Sequence, residues 1–234
     1  MDPLLIVYLD AYHLGDPLFL DRFAQTVRAR EGPLLLLHGT GEAAERALEA
    51  EGLVPAREGG VLRVEGTAQR ALVERAARDL NRRIVHALNE AGVSALRLTG
   101  TERGLLRAAP DGAVTVGRTA WLRALPQQGV VPVVALLAER EGDGVEPSPG
   151  GAAAALAQAL APDDGPPPVV AVFARAAPRD GADAAVAAPE VAERVCHEGV
   201  RVRVIQPSAL RGTGVPEGSD LPAAGGSGAA DARG

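Results

Sequence analysis

The sequence predicts an α/β fold, a three-layer αβα sandwich around a mostly parallel sheet. Short apolar runs without polar alternation, such as residues 34–37 and 130–137, read as strands buried on both faces. Between such runs lie segments with apolar residues at helical spacing. Strands and helices alternate along most of the chain, which is the pattern of a parallel sheet covered on both sides.

Residues 4–9 are the first apolar run, and Leu18, Phe19, Phe23 and Val27 give 18–30 a helical face. The run at 34–37 ends in His38-Gly39-Thr40-Gly41, and an Ala-rich helical pattern follows over 42–51, stopped by Gly52. A strand, a glycine turn and a helix start aim backbone N–H groups and a positive helix end at an anion. Gly59-Gly60 and 61–64 read as a turn and a short extended piece. Thr67 is placed to cap a long helix over 68–91, which Gly92 ends. Leu72, Ala76, Leu80, Ile84 and Leu88 form its buried face, and Arg70, Glu74, Arg78 and Arg82 its solvated one.

Residues 95–100 are another strand and turn, and 105–116 a hairpin with Asp111-Gly112 at its tip. A short helix over 119–125, the strand 130–137, a Gly/Pro-rich loop over 142–151 and an apolar helix over 152–160 follow. Beyond a Pro-rich linker come a strand (169–173), an irregular piece (178–185), a helix (189–197) and a last strand (200–205). The organisation expected is one domain over 1–215 and a disordered tail over 216–234, where small residues and Gly-Gly-Ser-Gly dominate.

Composition narrows the function. Aromatic residues are 3% of the chain and the formal net charge is −6 with no basic block, which argues against a nucleic-acid or anionic-membrane partner. No apolar run reaches the ~20 residues that span a bilayer, and no basic n-region opens the chain, so a cytoplasmic location is expected. The single cysteine, Cys196, has no partner for a disulfide and reads as a packed thiol. No Cys/His cluster has metal-ligand spacing. Every basic residue other than histidine is arginine; the chain has no lysine.

The order of motifs resembles the amino-acid kinase family, in particular its N-acetylglutamate kinase branch. The residues that carry the likeness are His38-Gly39-Thr40-Gly41, Gly60-Val61-Leu62-Arg63-Val64, the helix end Asn81–Asn89, Leu98-Thr99-Gly100, and Gln128-Gly129-Val130-Val131-Pro132-Val133-Val134 before an Ala-rich helix. The likeness runs from about residue 4 to 160. It implies a substrate half over 1–160 and a reduced nucleotide half over 161–215. It also implies that Gly39, Thr40 and Gly41 bind substrate and that Arg63 grips its carboxylate, a task suited to a planar guanidinium. A homodimer or a pairing with a related kinase is implied too, with the long helix over 68–91 as the place to look.

The departures fall on the nucleotide chemistry. Where the family's first strand ends in Lys-x-Gly-Gly, this chain has Tyr8-Leu9-Asp10-Ala11. The family's His-Gly-Gly-Gly turn has Thr40 in place of one glycine. Its Asn-x-Asn-x-Asp segment aligns with Glu146, Ser148 and Gly150, and its Gly-Gly-Met segment has no counterpart. Phosphoryl transfer rests on positioning and electrostatics, so each lost donor costs on the order of 2.7–4 kcal/mol of transition-state stabilisation by analogy with oxyanion holes. Arg103 and Arg175 are the candidates to stand in for lysine.

The expectation is therefore a non-catalytic binder of an acyl-amino acid or of a partner protein, with no catalytic residue, no metal and no cofactor. The alternative is an active kinase that uses ATP and Mg. A hydrolase reading of the His-Gly-Thr-Gly turn lacks a Gly-x-Ser-x-Gly elbow.

Overall fold

The computed structural model describes residues 2–58, 61–175 and 185–221. Strand β1 (Leu5–Leu9) is buried at every position. A short α1 (Ala11–Leu14) starts on Asp10, whose carboxylate accepts the His13 N–H. Helix α2 (Phe19–Arg28) then leads to β2 (Leu34–His38), again wholly buried. After the glycine turn come α3 (Gly41–Ala50), a small hairpin of β3 (Arg57–Glu58) and β4 (Val61–Leu62), and the long α4 (Gly66–Glu90). Strand β5 (Ala95–Thr99) precedes the hairpin of β6 (Leu106–Ala108) and β7 (Val114–Val116). Helix α5 (Ala120–Gln127), β8 (Val131–Ala135), β9 (Ala138–Arg140), β10 (Asp143–Val145) and α6 (Pro149–Ala159) follow. The described chain closes with β11 (Val169–Phe173), α7 (Pro189–His197), β12 (Val202–Ile205) and β13 (Ser219–Asp220).

The central sheet has the order β13-β12-β11-β1-β2-β8-β5. All its pairings are parallel except β12 with β13. Successive residues point to opposite faces, so each strand feeds two cores. Ile6, Leu35, Leu37, Val134 and Val172 pack with residues of α5, α6 and α7 on one face. Leu5, Val7, Leu36, Val133 and Phe173 pack with Phe19, Phe23, Leu80, Ile84 and Leu88 of α2 and α4 on the other. The predicted three layers and mostly parallel sheet are therefore present. A second sheet, β10-β9-β6-β7, stands beyond the carboxyl ends of β5 and β8.

Three details differ from the sequence reading. Helix α4 begins at Gly66, so Thr67 lies inside it; the Glu65 N–H is instead held by Gln69 Oε1 at 2.7 Å. The stretch 142–151 is not a loop. Glu141 and Gly142 have φ of 54° and 89° and turn β9 into β10, because positive φ at both turn residues matches strand twist. The α6 cap then forms on Ser148, whose hydroxyl accepts the Gly151 N–H at 3.3 Å. The tail does not start at Pro216. The Pro216 carbonyl accepts from Arg203, and Ser219–Asp220 extends the sheet beside β12. Residues 222–234 and most of the predicted irregular piece at 178–185 lie outside the described residues.

Gly100 follows the last residue of β5, ahead of the turn that leads to β6. A Cβ there would overlap the Leu137 carbonyl oxygen and the Leu106 side chain. Gly100→Ala is expected to cost about 1–3 kcal/mol through overpacking, lowering the thermal midpoint by several degrees. Gly144→Ala, whose Cβ would meet only ordinary contacts no closer than 3.4 Å, is the control and leaves the midpoint nearly unchanged. Equal midpoints for both variants would contradict the packing described.

Candidate functional site

The carboxyl ends of β1, β2 and β11 open into a cavity of about 350 Å³. This is where ligands gather in open parallel sheets. A larger cavity of about 630 Å³ lies at the opposite, amino-terminal end of the sheet. Arg30 and Arg123 line that one, but their guanidiniums bond the main-chain carbonyls of Leu210, Gly214, Ala159 and Ala161. They tie chain segments together.

The turn after β2 is built for close approach. Gly41 has φ of 62°, a conformation that favours glycine. A Cβ on Gly39 would sit 3.3 Å from both the Tyr8 hydroxyl and Glu146 Oε1. Thr40 is fully buried. Both of its donors are spent on one partner: its N–H and its hydroxyl reach Glu146 Oε1 at 3.1 and 2.7 Å.

Glu146 lies between β10 and the α6 cap, and its side chain is 3% exposed. Its other oxygen, Oε2, accepts the Leu62 N–H at 3.0 Å and Arg57 Nη1 at 3.2 Å. Four donors thus surround one buried carboxylate, which satisfies the charge in place of water. Arg57 also donates Nε–H to Glu45 at 2.6 Å. Burial works against the Arg57 charge, but Glu146 and Glu45 outweigh it and raise its pKa.

Of the predicted binding residues, Gly39 and Gly41 line the cavity and Thr40 is buried beneath it. Arg63 is not brought to them. Its side chain is 71% exposed and pairs with Glu58 at 3.2 Å. The reason is the period of two along a strand: Leu62 is buried, so its neighbour points outward. Arg57, paired in register with Leu62, is the arginine that reaches the turn.

Tyr8, where the family likeness implies a lysine, lines the cavity and is only 8% exposed. Among the described residues its hydroxyl has no hydrogen-bond partner. Burial, then the charges of Glu146, Glu190 and Asp10, push its pKa above the usual phenol range. Asp10 is buried and holds His13 Nδ1 at 2.9 Å. Arg175 lines the cavity and lies over the Tyr12 ring at 5.0 Å, whereas Arg103 stacks on Trp121. Cys196 is buried in the core, where burial raises its pKa. Among the described residues no group of His, Cys, Asp and Glu could hold a metal, and no helix is long and apolar enough to cross a membrane.

His38 lies under the turn, fully buried. Its Nδ1 meets the Gly39 carbonyl at 2.7 Å and its Nε2 meets Asn81 Nδ2 at 2.9 Å. The same Asn81 nitrogen reaches the carbonyls of Val133 and Leu98, so α4 is pinned to β2, β5 and β8 through one amide. Sequence reasoning missed Asn81 and Arg57. A lone polar residue on the apolar stripe of α4 was the available signal for Asn81.

Comparison with known proteins bears on the fold. The chain is 34% identical to the acetylglutamate kinase of Chloroflexus aggregans over 156 residues, 62% of this chain and 61% of the relative. It therefore matches less than two thirds of that relative's length. Isopentenyl phosphate kinase superposes with a TM-score of 0.63 at 17% identity, over 90% of this chain and 98% of the other. The protein has the amino-acid kinase fold and resembles the acetylglutamate kinases. N-acetylglutamate synthase from Neisseria gonorrhoeae also shares this kinase-like protein's fold, with a TM-score of 0.63 at 19% identity, over 88% of this chain and 55% of the other. No family model matches the chain.

The buried imidazole makes a pH prediction. Burial lowers the His38 pKa from 6.5 to about 4, with the bond to the Gly39 carbonyl opposing. The folded value lies below the unfolded one, so the unfolded chain takes up the proton first on acidification. Stability is therefore lost as pH falls from about 6.5 to about 4, by about 3 kcal/mol in all. Thermal midpoints between pH 7 and 4 should fall more steeply for the wild type than for His38→Gln. Equal slopes would contradict a buried neutral His38.

Proposed function

We propose that this acetylglutamate-kinase-like protein is a non-catalytic small-molecule binder that no longer transfers a phosphoryl group. The observation that carries the reading is the carboxylate of Glu146 seated on the Thr40 turn. An anion entering this turn meets a buried negative charge and finds the Thr40 donors already used. Phosphoryl transfer works through charge stabilisation of the moving phosphoryl group. Around the cavity the balance runs the other way. Asp10, Glu42, Glu45, Glu146 and Glu190 face it, against Arg57 and Arg175. Arg57 is engaged by two of those carboxylates.

An acyl-amino acid is the ligand that the family likeness suggests. Its carboxylate reaches the turn only by displacing Glu146. Pairing with a second copy or with a related kinase belongs to the same reading and leaves the cavity argument unchanged.

Calorimetric titration with Mg-ATP and with N-acetylglutamate, together with an ADP-release assay, tests the proposal. Mg-ATP is expected to give no heat at millimolar concentration, and no ADP to appear. Glu146→Gln keeps the shape and removes the charge, so N-acetylglutamate should bind the variant about tenfold more tightly than the wild type, roughly 1.4 kcal/mol. ATP-dependent turnover by the wild type would overturn the reading in favour of an active kinase.

A further inference from the structure

We propose that the cavity at the carboxyl ends of β1 and β2 binds a small organic cation, its ammonium or guanidinium head placed between Tyr8, Asp10 and Glu190. The proposal rests on the non-catalytic reading above and gives the same site a ligand class other than the acyl-amino acid that the family likeness suggests.

Charge is the first support. Glu45 and Glu146 share Arg57, and Asp10 is held by His13. Glu42 and Glu190 are left at the rim with no cationic partner among the described residues. Carboxylates thus outnumber the guanidiniums of Arg57 and Arg175 on this lining, and such an excess attracts ions of the opposite sign.

The second support is the Tyr8 hydroxyl. Tyr8 is 8% exposed, its hydroxyl has no hydrogen-bond partner among the described residues, and it converges with Glu146 Oε1 on the space above Gly39. A phenol oxygen can accept a hydrogen bond from an N–H donor as well as donate one. An ammonium or guanidinium supplies that donor and is attracted to the carboxylates around it. An anion would face all of them.

The third support is size. A volume of about 350 Å³ is at the small end of ligand pockets and suits an amine of a few carbons.

The test is calorimetric titration of the full chain with putrescine and with agmatine, repeated on Tyr8→Phe and Glu190→Gln. Glu190 is exposed on the first turn of α7, so its substitution leaves the core intact. At least one cation should bind the wild type with sub-millimolar affinity that weakens with added salt. Either variant should reduce that affinity at least fivefold. Absence of binding by both cations, or affinity unchanged in both variants, would overturn the proposal. ATP turnover would sink the non-catalytic reading whatever the amines do. No turnover and no amine binding would sink the cation site alone.

Discussion

One buried carboxylate organises the upper face of the sheet. Glu146 joins the turn after β2, the β3–β4 hairpin and the start of α6 through donors from Thr40, Leu62 and Arg57. The hairpin has little core of its own, with Leu62 as its buried side chain. Leu62 packs against Ala44 and Leu48 of α3 and Val73 and Ala76 of α4, and the polar bonds to Glu146 tie the hairpin to the turn. Hydrogen bonds to a buried charge are among the stronger ones available to a fold. Removing the carboxylate would leave the Thr40 and Leu62 N–H groups without a partner. In the proposed function the same carboxylate also opposes anions at the turn, so one set of atoms would serve structure and selectivity.

Below the turn, a neutral network does comparable work. Asn81 and His38 bridge α4 to three neighbouring strands without carrying charge. A histidine buried this deeply stays neutral because desolvation outweighs its hydrogen bond. The turn is thus held from beneath by dipoles and from above by a carboxylate. Gly39 and Gly41 keep it open enough for both.

Much of this was legible in the sequence. Runs such as Leu34–His38 and Val169–Phe173 have no polar alternation, and only strands buried on both faces need that. The α4 stripe marked its buried face. Legibility failed where a residue's direction depended on tertiary contacts. Arg63 fitted the family pattern by position, yet strand alternation turned it outward and brought Arg57 to the turn. The β9–β10 hairpin was hidden because a glutamate, Glu141, takes a positive φ. The short β13 lies in a stretch whose composition suggests disorder, and it is ordered by pairing with β12. Glu146 was readable as a departure from the family's asparagine. That it folds back onto Thr40 was not, because the two are 106 positions apart in the chain.

The most direct test of this account is a crystal structure of the protein grown in saturating Mg-ATP. The account predicts an empty turn with Glu146 bonded to Thr40, Leu62 and Arg57, and no nucleotide at the ends of β1 and β2. A nucleotide phosphate on the Thr40 turn with Glu146 swung aside would contradict it.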